Sequence, residues 1–198
     1  MNISIIIAHP LRSSFNHAIG KTLVESINQQ AHSVRCHDLY EENFPPALPP
    51  QEVPRGAPLP DMVQTHCREL AEADGIIVIH PNWWGMPPAI MKGWIDRVFR
   101  PGIAYEFIEG DSGEGIPKGL LKAQFALVLN TSNTTPEREE KEFGDPLETL
   151  WKNCIFGLCG VPVFRRRTFS IMVASTKGQR ADWLDEARNL AAHLISEK

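Results

Sequence analysis

Three stretches of this sequence combine residue types that can do chemistry. The first, Ala8-His9-Pro10-Leu11-Arg12-Ser13-Ser14-Phe15-Asn16, mixes an imidazole, a guanidinium, two hydroxyls and an amide. The second, His80-Pro81-Asn82-Trp83-Trp84-Gly85-Met86-Pro87, sets two adjacent indoles among glycine, methionine and prolines. The third, Asn130-Thr131-Ser132-Asn133-Thr134, is a run of small amides and hydroxyls. If the first stretch enters a helix, Ser13 or Ser14 suits the N-cap, and the free N–H groups and dipole of the first turn favour an anion such as phosphate. Two indoles held by prolines make a flat apolar wall, which suits a planar conjugated ring. The third stretch can hydrogen-bond the polar edge of such a ring. Each also has a plainer reading: a helix cap, a core or interface aromatic pair, a polar turn. Together they describe a site for a phosphorylated planar cofactor.

Other chemistries find less support. No GxGxxG follows the first apolar run, and Gly113-Glu114-Gly115 sits in the wrong context for one. There is no P-loop and no GxSxG elbow. His66-Cys67 and the pair His32 and His37 lack metal-ligand spacing, so no metal is expected. Glu139, Glu140 and Glu142 read as a solvated charge run.

The elements that must position these stretches alternate between strand and helix, as in a parallel α/β sheet. Ile3 to Ala8 and Gly75 to Ile79 are continuous apolar runs, which suit strands buried on both faces. Ser33 to Asp38, Gln124 to Leu129 and Val163 to Val173 complete five strands, the last polar enough for an edge. Five helices lie between and after them. They run from Ser13/Ser14 to about Gln30, from a capping Asp61 to about Ala73, from Pro87/Pro88 to Phe99, from Asp145-Pro146 to about Leu158, and onward from Thr176. All three chemical stretches follow strands, where open α/β sheets bind ligands. Two long loops break the alternation: Phe44 to Pro60, with seven of the 16 prolines, and Arg100 to Gly119.

Composition narrows the function. Of 198 residues, 42% are hydrophobic and 22% charged, enough for one globular domain spanning 1–198. A formal charge of −4 gives no basic excess for nucleic acid, and Arg165-Arg166-Arg167 is too short to supply one. No apolar stretch reaches membrane-span length, and the first residues do not resemble a signal peptide. Cys36, Cys67, Cys154 and Cys159 form no CxxC pair, with Cys154 and Cys159 expected to face a helix interior. A cytoplasmic location is the expectation.

At these residues the sequence resembles a known family. Ala8-His9 with Ser14-Phe15-Asn16, and the run from Pro81 through Trp83-Trp84 and Lys92-Gly93-Trp94 to Val98-Phe99, are similar to the NAD(P)H:quinone oxidoreductases of the flavodoxin-like fold. The resemblance covers nearly the whole chain. It implies a three-layer α/β sandwich with a five-stranded parallel sheet in order 2-1-3-4-5, a bound flavin and a homodimer with shared active sites. It implies flavin contacts from His9, Ser14, Phe15, Asn16, Pro81, Asn82, Trp83, Trp84, Asn130, Thr131, Ser132 and Asn133. Trp84 also belongs to the implied substrate pocket, with Tyr105 and Phe107 from the partner subunit. FAD is favoured over FMN because Ser14-Phe15-Asn16 is most similar to FAD-binding members. The implied activity passes hydride from NAD(P)H through the flavin to a quinone or similar planar acceptor by ping-pong kinetics. The alternatives are an electron carrier like the flavodoxins, or a redox-sensing regulatory subunit docked on a potassium-efflux transporter. The chain departs from the family at Thr131-Ser132-Asn133-Thr134, where Thr-Thr-Gly-Gly is common. Pro136 to Phe143 also lacks a Tyr and a His found in mammalian members. No catalytic side chain is assigned.

Overall fold

The computed structural model describes residues 1–108, 110 and 114–197, so Gly113 of the glycine-containing loop lies outside them. The sheet contains β1 (Asn2–Ile7), β2 (Ser33–Asp38), β3 (Gly75–Pro81), β6 (Phe125–Thr131) and β7 (Val163–Phe169). Its order is β2-β1-β3-β6-β7, all parallel, which is 2-1-3-4-5 counted within the sheet, as the resemblance implies. The two-residue strands β4 (Tyr105–Glu106) and β5 (Lys118–Gly119) form a small separate antiparallel pair.

The central strands have no polar alternation because both faces are covered. Every residue of β3 and β6 is buried. On one face, Ile3, Ile5, Ile77 and Leu127 pack against α1 (Phe15–Gln29) and α6 (Lys177–Ser196). On the other, Ile6, Val78 and Val128 pack against α2 (Asp61–Glu72), α3 (Ala89–Val98) and the Trp151–Phe156 segment. In α1 the fourfold spacing buries Ile19, Leu23 and Ile27. Each of these side chains contributes about 1.5–3 kcal/mol of transfer free energy.

Several boundaries differ from the sequence expectation. Asp61 is the first helical residue of α2 rather than its cap, which is Pro60 without a side-chain bond. β6 runs two residues further, to Thr131, since Asn130 and Thr131 pair with Thr168 and Phe169. β7 ends at Phe169 and does not reach Val173. Pro136 to Phe143 is a helix, α4, and not simply a charge run: Thr135 caps it through the Arg138 N–H, and Gly144 ends it at a left-handed φ of 68°. The next helix begins as α5 (Pro146–Glu148) and continues as a π-helical stretch over Thr149–Gly157. Cys154 on that stretch is exposed, contrary to its expected place in the interior, whereas Cys159 is buried.

The proline-rich loop is an ordered strap across α3. Glu52, in a single turn of 3-10 helix, receives the Arg97 guanidinium through both Nε (3.0 Å) and Nη2. Arg97 Nη1 donates to the Pro45 carbonyl at 2.6 Å. Pro46 sits so close to α3 that a Cβ on Gly93 would fall 2.1 Å from the Pro46 carbonyl oxygen, which explains a glycine in mid-helix there. Among the described residues, no helix is long and apolar enough to cross a membrane.

Candidate functional site

The C-terminal ends of β1, β3 and β6 open into a cavity of about 910 Å³. Its wall includes His9, Ser14, Phe15, Asn16, Pro81, Asn82, Trp83, Trp84, Thr131, Ser132 and Asn133, so eleven of the twelve expected cofactor residues meet there. They arrive by the route that the sheet topology dictates, with each loop leaving the carboxyl end of a central strand.

The first loop ends in the Ser14 N-cap of α1, where Ser14 Oγ accepts the His17 N–H at 3.3 Å. Asn16 is buried and its Nδ2 donates to Thr131 Oγ1 at 3.0 Å, tying the first loop to the third. Its Oδ1 has no hydrogen-bond partner. A buried amide oxygen on a cavity wall lacks only a donor, which a ligand hydroxyl or N–H can provide. His9 Nδ1 accepts the Leu11 N–H at 3.1 Å, and burial pushes its pKa below the ordinary value.

The second loop is a tight hairpin. Trp83 and Met86 exchange backbone hydrogen bonds at 3.0 Å, and both central residues have positive φ, 59° at Trp84 and 69° at Gly85. Such turns favour Gly or Asn at both positions, so a tryptophan there is strained. Asn82 Oδ1 braces the turn by accepting the Gly85 N–H at 3.0 Å. The result is an indole at Trp84 that is 100% exposed. Backbone strain of this kind clusters at active sites, ligand clamps and switch regions.

Asn130, the twelfth expected residue, does not line the cavity. Residues alternate along a strand, so Thr131 faces α1 while Asn130 turns to the opposite face. There it is fully buried and donates through Nδ2 to His80 Nε2 at 3.0 Å. Trp151 Nε1 donates to the same nitrogen at 3.0 Å, so His80 Nε2 carries a lone pair and its proton is on Nδ1, which donates to the Pro81 carbonyl at 2.8 Å. Burial drives the His80 pKa down to about 4. The Pro81–Asn82 peptide is thus held at both ends, since the Asn82 N–H donates to the Thr131 carbonyl at 2.7 Å.

Tyr105 and Phe107 also lie elsewhere. They form an edge-to-face pair, 5.4 Å between ring centroids, in a separate hollow of about 380 Å³ with Cys154 and Cys159. Conversely, the cavity wall includes residues the sequence did not point to: Arg138, Glu139 and Phe143 of α4, Pro146, Met172, Val173 and Arg180. The third loop is stitched to the segment before α6 by Met172 N–H to Ser132 O (2.9 Å) and Val173 N–H to Asn133 Oδ1 (2.9 Å).

A second polar cluster lies on the α2–α3 side. His37, Glu42 and His66, which spacing alone did not relate, bring ligand-type atoms within 4.8 Å of one another. Their hydrogen bonds explain the arrangement without an ion. His37 places one nitrogen on Glu42 and the other on Glu69, each at 2.7 Å. His66 Nδ1 accepts the Trp94 N–H at 3.0 Å, so Nε2 carries the proton donated to Glu42. Burial disfavours charge on His37, yet the bonds to Glu42 and Glu69 raise its pKa overall. Burial likewise opposes charge on Glu42, but the two imidazoles hold its pKa down to about 2. An ion could be ligated by both imidazoles only if these bonds were surrendered.

Comparison with known proteins agrees with the architecture. A family model described as flavodoxin-like fold matches residues 1–194. A Haemophilus influenzae protein named as an uncharacterized NAD(P)H oxidoreductase is 34% identical over 81% of this chain and 79% of its own. The ribosyldihydronicotinamide dehydrogenase (quinone) of Mus musculus is 30% identical over 95% of this chain and 91% of its own. Among solved structures, an NAD(P)H:quinone oxidoreductase from Methanothermobacter marburgensis superposes with a TM-score of 0.78 at 28% identity, covering 96% of this chain and 94% of that one.

Proposed function

The chain belongs to the flavodoxin-like fold family and is an oxidoreductase, and from that premise we propose that it is a flavin-dependent NAD(P)H oxidoreductase acting on a quinone or similar planar acceptor. The observation that carries this reading is the convergence of a helix N-terminus, a displayed indole pair and a partnerless buried amide oxygen on one cavity. A flavin phosphate suits the α1 N-terminus at Ser14 and Phe15, and ribityl hydroxyls suit Asn16 Oδ1. Pro81, Asn82, Trp83 and Trp84 would flank the ring; Thr131, Ser132 and Asn133 would meet its polar edge. Asn130 acts from behind, through His80, on the peptide that carries Asn82. A bound flavin supplies the two-electron redox chemistry, and the protein supplies orientation and exclusion of water. One cavity for donor and acceptor favours ping-pong exchange. FAD is our preferred form, because the cavity runs from α1 as far as Arg180 on α6.

A second copy of the chain completes the site in this reading. Trp84 is wholly exposed on a single chain, and Tyr105 and Phe107 are remote from that chain's own cavity. Reciprocal docking would cover the indole and bring the aromatic pair of one subunit to the other's pocket. We place the protein in the cytoplasm, in keeping with four free thiols.

The test is a visible spectrum after reconstitution with FAD or FMN, repeated after anaerobic NADPH and NADH. Rapid bleaching of the flavin band is expected. Asn16→Leu should weaken flavin binding by about 1–3 kcal/mol, since it removes the acceptor and its tie to Thr131. A flavin that binds but resists both nucleotides would leave an electron carrier, and a chain that binds no flavin would overturn the proposal.

A further inference from the structure

Behind the cavity wall, three side chains form a relay that no step so far has used. Asp38 is 13% exposed, at the end of β2, and its Oδ2 meets His17 Nε2 at 2.7 Å. Its Oδ1 accepts the N–H groups of Tyr40 and Glu41 at 3.1 and 3.3 Å, so the carboxylate acts only as an acceptor and the proton between it and His17 belongs to His17 Nε2. On the other side of the ring, His17 Nδ1 lies 2.9 Å from Ser14 Oγ. While His17 is neutral, Nδ1 is a lone pair and the Ser14 hydroxyl must spend its one hydrogen on it. Ser14 then presents only lone pairs to the cavity it lines. An anion there needs a donor, and Ser14 can become one only when His17 Nδ1 is protonated and donates to Oγ.

We propose that the Ser14–His17–Asp38 relay couples binding of the flavin's phosphate group to uptake of one proton by His17. This rests on the flavin reading above. Solvent supplies the proton to Nδ1, Nδ1–H donates to Ser14 Oγ, and the Ser14 O–H turns to the phosphate oxygen. Asp38 provides the compensating charge throughout, so imidazolium, carboxylate and phosphate form one alternating row. The partnerless Oδ1 of buried Asn16, two residues from Ser14 on the same wall, independently marks this end of the cavity as built for a ligand.

The other charges around His17 are already paired. Arg12 of the first loop pairs with Glu41 beyond β2, Lys21 pairs with Glu25 further along α1, and Glu42 is held by His37 and His66. Cys36 of β2, an exposed thiol, stays neutral, its pKa pushed up to about 11 by partial desolvation and by the nearby Asp38 and Glu42 carboxylates. His9, with its ring 6.3 Å from that of His17, has Nδ1 occupied by the Leu11 N–H, and burial lowers its pKa. Asp38 is therefore the charged group in contact with His17, and His17 is the group positioned to take the proton.

FAD is the right probe, because its pyrophosphate does not titrate near neutrality as a phosphate monoester does. Calorimetry in buffers of different ionisation enthalpy should detect uptake approaching one proton per FAD over the pH range in which His17 is neutral in the free protein, and none for riboflavin. The FAD dissociation constant should then rise by about tenfold per pH unit in that range, the signature of a one-proton linkage. His17→Gln should make the FAD profile flat while leaving riboflavin binding unchanged. FAD binding with no proton uptake and a flat profile in the unmodified protein would overturn this inference alone. Failure of FAD, FMN and riboflavin to bind at any pH would overturn the cofactor reading and this inference with it.

Discussion

Glu52→Ala should destabilise the protein by about 3–5 kcal/mol, enough to consume much of the stability of a domain this size. Arg97 is 3% exposed and its guanidinium is satisfied by Glu52, by the Pro45 carbonyl and by the face of Phe44, 5.7 Å from the ring centroid. Removing Glu52 leaves a buried cation without its counter-charge, and the penalty for that exceeds what the pair contributes net. It also removes a side-chain anchor of the strap, which at residue 52 then keeps only the bond from Arg100 to the backbone carbonyl. Urea unfolding of the variant, beside Glu52→Leu combined with Arg97→Met, separates the two effects. The double substitution should recover most of the loss, since it removes both charges from the interior. If it is as unstable as Glu52→Ala, the cost lies in the strap's anchoring and not in an orphaned charge.

The second large effect is on the acid side. His80 is buried and neutral, with a pKa of about 4. Once unfolded, it takes up a proton near its ordinary 6.5. Between those values the unfolded chain binds more protons than the folded one, so stability decreases as the pH is lowered, by about 3 kcal/mol over the window. His37 works in another range. Its folded pKa is raised, so its stabilisation is complete below the ordinary value and is lost as pH rises through the folded value. Glu42, at about 2 against an ordinary 4.5, loses its contribution only as pH falls from 4.5 towards 2. A loss between about pH 6.5 and 4 therefore reports mainly on His80, with His9 adding in the same direction. Denaturant titrations across that range should show the slope, and His80→Gln should remove most of it, leaving the smaller part due to His9. A His80 ring resonance that titrates near 6.5 in the folded protein would refute the assignment.

The sheet was legible because its central strands are apolar without interruption, and that pattern has few alternatives in an α/β chain. Eleven cavity residues were legible for a related reason, since they follow strands directly and topology alone gathers them. What escaped had no local signature. Asn130 looks like its neighbours in sequence, and only the two-residue period of β6 turns it away from the cavity towards His80. Arg180 reaches the wall because α6 packs beside α1, a contact between distant segments. The link between His37 and His66 requires α2 to lie against β2, which spacing does not encode. α4 was within reach: Thr135-Pro136 with Glu139 and a closing Gly144 are start and stop signals that bracket the acidic run.

The strained turn at Trp84 has an optical consequence. Of the five tryptophans, Trp94 and Trp151 are sealed in the core and donate their N–H groups to imidazoles, Trp183 is partly covered, and Trp83 is 42% exposed. Trp84 alone stands wholly in water. In a single chain without flavin, the long-wavelength edge of the intrinsic fluorescence should thus belong chiefly to one residue and be the part most readily quenched by iodide. A Trp84→Phe variant should remove that component and leave the blue emission of the core. In the unmodified protein, the same component becomes a built-in gauge of whatever comes to rest against that loop, whether a ring in the cavity or the surface of another chain.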